Sequence, residues 1–129
     1  MTTHLDNHAT MLVTLSGRDR PGITRDLFAA CSAQAVAVTD VDQIVMRDQL
    51  TIAASVDGAW AELERLRPAI EEMAHRSAMD CTISMEEKAA PSTHNLGVPH
   101  FQVTVMSAQL VPEAIAKITD VIADNGGNI

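Results

Sequence analysis

The sequence predicts an α+β domain in which two helices cover one face of an antiparallel sheet, its elements in the order βαββαβ. Two observations carry this reading. Four segments are β-branched or alternate apolar with polar residues, as strands do. Two others space their apolar residues by three and four, as amphipathic helices do.

Met11, Val13 and Leu15 alternate with polar or smaller neighbours and mark a half-buried strand over Met11–Ser16. Residues 1–9 before it are polar and read as a frayed tail. Gly17-Arg18-Asp19-Arg20-Pro21-Gly22 then leads straight into a helix, in which Ile23, Leu27, Ala30 and Cys31 share one face. Gln34-Ala35 ends it. Val36 to Met46 is rich in β-branched residues and reads as a long strand, with a change of phase near Asp40 that suggests a bulge. Arg47-Asp48-Gln49 reads as a hairpin turn. Leu50, Ile52, Ala54 and Val56 form the strand that pairs back, closed by Asp57-Gly58. Trp60, Leu63, Leu66, Ile70 and Met73 make a second amphipathic helix. Pro68 cannot donate to the carbonyl of Glu64, so a kink or break is expected there. Cys81, Ile83 and Met85 alternate with Thr82, Ser84 and Glu86 in a fourth strand. The plan is ferredoxin-like.

Residues 88–100 carry Pro91, Ser92, Thr93, Gly97 and Pro99 and read as a linker after a domain over 10–87. Phe101, Val103 and Val105 predict a fifth strand. Val111, Ile115, Ile118 and Ile122 predict a third helix over 111–124, with Asn125-Gly126 as its left-handed cap. Strand, proline-bearing loop and helix thus recur in the order of the first unit. The repeat stops at Asn128-Ile129, where its second strand would begin. Residues 101–129 are therefore expected to be the start of a second, truncated unit, since a strand and a helix cannot cover each other's apolar faces alone.

A chain of 129 residues suffices for one ordinary domain and little more. With two Phe, one Trp and no Tyr, its core must be aliphatic. A net charge of −8 repels nucleic-acid phosphates, and neither a basic cluster nor stacking aromatics offset it, so nucleic acid is excluded as a partner. No apolar run reaches membrane-spanning length, and Met1-Thr2-Thr3-His4-Leu5-Asp6 lacks the regions of a signal peptide. A cytoplasmic location is expected. Cys31 and Cys81 fit it as reduced thiols at core-facing positions.

No catalytic set is legible. None of His4, His8, His75, His94 and His100 has zinc-ligand spacing with a cysteine, so no metal site is expected. Glu71-Glu72 and Glu86-Glu87 read as solvated faces, and Ser16 and Ser84 lack His and Asp partners. The seven Met read as aliphatic filler. Gly126-Gly127 ends a helix, where a phosphate cradle would begin one. One junction stands out. Pro21 suits a first helical turn, and Gly22 removes a side chain where a ligand would approach the backbone. Free N–H groups at a helix start form a positive pole for a carboxylate or phosphate. The same residues also make a plain strand-to-helix turn, and local chemistry leaves both readings open.

Asp19-Arg20-Pro21-Gly22-Ile23-Thr24 resembles the D-x-P-G-[IV] signature of ACT domains, small βαββαβ modules that bind amino acids and regulate metabolic enzymes. Formyltetrahydrofolate deformylases and glycine-cleavage repressors carry that signature too. Asp42-Gln43-Ile44-Val45 with Leu50-Thr51, and the ending Gly126-Gly127-Asn128-Ile129, are similar more narrowly to the tandem ACT region of actinobacterial-type phosphoserine phosphatases. The resemblance covers nearly all of residues 9–129. It implies a regulatory region binding a small amino acid, L-serine or glycine, and pairing into homo-oligomers. A haloacid-dehalogenase phosphatase domain with Mg²⁺ is implied for the parent protein, in serine biosynthesis, and no cofactor for these residues. The ligand's carboxylate would meet the N–H groups near Gly22 and Ile23, with Pro21 and Thr24 in the same motif, and its ammonium would meet Asp19 or a backbone carbonyl. Gln43 from a neighbouring unit would close the site. Ser107 stands where the second unit of the family often has Gly. The alternatives are a tandem ACT regulator without an enzyme domain, of the glycine-cleavage-repressor type, and a pairing module that binds no ligand.

Overall fold

The structure, a computed structural model, describes residues 7–87 and 99–129, which fall into two units. The first unit has the order β1 (His8–Arg18), α1 (Ile23–Ser32), β2 (Val36–Met46), β3 (Gln49–Ala59), α2 (Trp60–Arg76) and β4 (Asp80–Glu87). Its strands form one antiparallel sheet in the spatial order β2-β3-β1-β4. This is the expected ferredoxin-like fold.

Alternation along β1 decides the core. Met11, Val13 and Leu15 are buried, while Leu12, on the other face, is 49% exposed. The register sets Leu15 opposite both Ile52 and Cys81, and Val13 opposite both Ala54 and Ile83. Onto this row settle Ile23, Leu27 and Cys31 of α1 and Leu63, Leu66, Ile70 and Met73 of α2. The core is aliphatic, and among the described residues no polar or charged residue is buried in it. β2 shifts register between Val38 and Asp40, where the change of phase predicted a bulge. Arg47 and Asp48, at φ 47° and 66°, form a two-residue turn of the kind that matches strand twist.

Four expectations need correction. β1 starts at His8, inside the supposed tail, because both neighbours extend to meet it: His8 pairs with Ala59 and Ala9 with Glu87. Asp57-Gly58 does not close β3. Asp57 accepts the Thr10 hydroxyl at 2.8 Å, and Gly58 stays in the ladder, where a Cβ would come 3.0 Å from Val36 Cγ1. Pro68 does not break α2, which runs unbroken over 17 residues. Glu64 and Pro68 both lie on the exposed side, so water can take the carbonyl that Pro68 leaves free.

The fourth concerns the second unit. Residues 101–107 form no strand, because a ladder needs a hydrogen-bonded neighbour and no described segment supplies one. The predicted helix is present as α3 (Pro112–Asp124). Gly126, at φ 79°, donates to the Ala123 carbonyl and Gly127 to that of Ile122, both at 2.9 Å, which makes a Schellman cap. Among the described residues no helix is long and apolar enough to cross a membrane.

Candidate functional site

The loop after β1 is fixed at both ends. The Asp19 N–H donates to the Asp48 carbonyl at 2.8 Å, which ties the loop to the β2–β3 turn. The Gly22 carbonyl accepts the Asp26 N–H at 2.9 Å and so becomes the first acceptor of α1. Gly22 is the N-cap, at φ 96°. Pro21 therefore precedes the cap and is not in the first helical turn, because the helix cannot extend back through a residue held left-handed. No side chain caps α1. Among the described residues no backbone carbonyl accepts the N–H groups of Ile23, Thr24 or Arg25.

The residues that carry those amides line an open cleft of about 340 Å³. Asp19, Pro21, Gly22, Ile23, Thr24 and Gln43, the six residues singled out from the sequence, all line it. The buried side chain of Leu50 belongs to the same wall. Gln43 is brought in by β2 of the same unit, not by a neighbouring one. Its Oε1 accepts the Thr24 hydroxyl at 2.9 Å, which joins strand to helix across the cleft.

Arg25 also lines the cleft and was not singled out from the sequence. A Cβ on Gly22 would lie 2.7 Å from its Nη2, so its guanidinium covers the cap. Its Nε also pairs with Asp26 at 3.2 Å. A helical period shows which residues face a core, and it does not show where a long exposed side chain folds back. The site thus presents three backbone donors, a guanidinium, a carboxylate and an amide. Donors and acceptors around one opening suit a small zwitterion. Among the described residues no group of three or more His, Cys, Asp or Glu side chains gathers as a metal ion requires.

The profile of the ACT domain family matches residues 9–85. The phosphoserine phosphatase of Streptomyces coelicolor is 33% identical over 121 residues, which cover 93% of this chain and 29% of that protein. The phosphoserine phosphatase of Mycobacterium tuberculosis is 27% identical over 115 residues, covering 84% of this chain and 28% of that one. The chain thus spans under a third of the length of these relatives. Among solved structures, a putative glycine cleavage system transcriptional repressor superposes with a TM-score of 0.66 at 14% identity. That match covers 92% of this chain and 67% of the other, and at that identity it speaks for the fold alone.

Proposed function

The chain belongs to the ACT domain family, and we propose that it is the amino-acid-sensing region of a phosphoserine phosphatase, with L-serine as its ligand. The single observation that carries the proposal is the cleft, which gathers Asp19, Gly22, Thr24 and Gln43 around unsatisfied helix-start amides. Serine's carboxylate accepts from the N–H groups of Ile23 and Thr24, with the Arg25 guanidinium beside it. Its ammonium is met by the Asp19 carboxylate. Gln43 exchanges its bond with Thr24 for one to the ligand. Serine is the product of the reaction named for the relatives, so occupancy would report product level to the enzyme. The hydrolysis itself, and its Mg²⁺, are assigned to the parent protein's catalytic domain.

Pairing into homo-oligomers belongs to the same proposal. Val38, Val41 and Val45 stand opposite Val56, Ala54 and Leu50 and so point to the helix side, yet each is at least 37% exposed. The edge of β2, which no described strand pairs, lies beside the cleft and is where a second sheet would add.

Calorimetric titration tests the ligand. L-Serine gives saturable binding to the 129-residue chain, and Asp19→Ala weakens it by about 1.5–3 kcal/mol, the value of a hydrogen bond to a charged group. Binding that is absent, or unchanged by Asp19→Ala, overturns the proposal. A D-x-D-x-[ST] motif in the reading frame beyond Ile129 separates it from an ACT regulator without an enzyme domain.

A further inference from the structure

A second cleft, of about 310 Å³, flanks the same loop on the side of α2's last turn. Arg20, Arg76 and Ser77 line it, over Ile23 and Met73. We propose that it is an anion site, built for phosphate or a phosphate monoester and separate from the amino-acid cleft. The inference does not depend on the serine reading.

Charge is the first ground. Among the described residues Arg25, Arg65 and Arg67 pair with carboxylates, whereas Arg18, Arg20, Arg47 and Arg76 do not, and of these four Arg20 and Arg76 share one cleft. The cleft's one carboxylate, Asp26, is already engaged by Arg25 at 3.2 Å.

Geometry is the second ground. Arg20 Nη2 lies 3.5 Å from the Arg76 carbonyl, a long contact that brings its guanidinium to the end of α2, and among the described residues its other donors have no partner. The Ser77 hydroxyl is spent only on a 3.9 Å contact with the Met73 sulfur. Ile23 and Met73, each 2% exposed, form an apolar floor, which lowers the local dielectric and strengthens attraction to a charge above it. The end of α2 opposes an anion with its partial negative charge, but that is about half a charge against two whole guanidiniums. Three separate donor groups around one space suit the several oxygens of a phosphate better than a planar carboxylate.

The test is amide-resolved NMR of the 129-residue chain titrated with sodium phosphate and, separately, with glycerol phosphate. Saturable shifts at Arg20, Arg76 and Ser77 are expected, and the tighter of the two titrants identifies the source of the anion. Arg76→Gln weakens the binding by about tenfold, the loss of one charge-assisted pair. Should that variant not fold, Arg20→Gln serves in its place. Shifts that do not saturate with either titrant, that sodium chloride of matched ionic strength reproduces, or that survive the substitution overturn the proposal. Serine, by contrast, reads out at Thr24 and Gln43, so the two proposals fail separately.

Discussion

At position 22 conformation and space make different demands. Its φ of 96° strains any L residue, whereas the room a Cβ would need is held only by the flexible Arg25 guanidinium. The conformation is therefore what requires glycine. Gly22→Ala should lower stability by about 1–2 kcal/mol in chemical denaturation, the cost of a left-handed L residue. A variant as stable as the parent contradicts this. The glycine was legible in the sequence, but this reason for it was not, because φ depends on where the helix starts. Gln43 was likewise legible, but its bond to Thr24 was not, since it depends on the packing of α1 against β2. The two thiols behave alike. Burial raises the pKa of Cys31, and burial with the Glu71 charge raises that of Cys81, both from 9.0. The folded state then holds these protons more tightly than the unfolded one. Their contribution is fully present below pH 9 and is lost as pH rises through the raised folded values. Thermal melts of a Cys31→Ala, Cys81→Ala variant should decline less between neutral pH and pH 10 than those of the parent; equal declines would refute it.

Among the elements, alternation and three-four spacing located every strand and helix of the first unit. They failed where a neighbour decides. Gly58 has the look of a turn residue, yet it serves a strand because Val36 needs the space over it. Phe101, Val103 and Val105 have the right pattern for a strand but no partner to pair with among the described residues. Pro68 should break a helix, yet Leu66, Ile70 and Met73 are buried on either side of it and hold α2 to the sheet. The proline still costs α2 a backbone bond. Pro68→Ala is expected to raise stability by roughly 1–3 kcal/mol, up to the full difference between the two residues in a helix interior. Differential scanning calorimetry showing an unchanged or lower melting temperature would count against this account.

The molecule as a whole leaves apolar surface open in both units. Along β2, Ile44 and Met46 are 57% and 66% exposed, and on the second unit Val111, Ile115 and Val121 lie open. Side chains of this size gain about 1.5–3 kcal/mol each on full burial. Light scattering should therefore report an oligomer at micromolar concentration, and a strict monomer would exclude it. The order β2-β3-β1-β4 also has a consequence in time. The strand made first is a central one, and its partners are Gln49–Ala59 and Asp80–Glu87. The β2–β3 hairpin, with its two-residue turn, can close within microseconds of leaving the ribosome. β1 cannot. At about 5–20 residues per second it waits seconds for β3 and longer for β4. Through that interval Met11, Val13 and Leu15 travel on the nascent chain as an unguarded apolar strip, open to any chaperone that meets it.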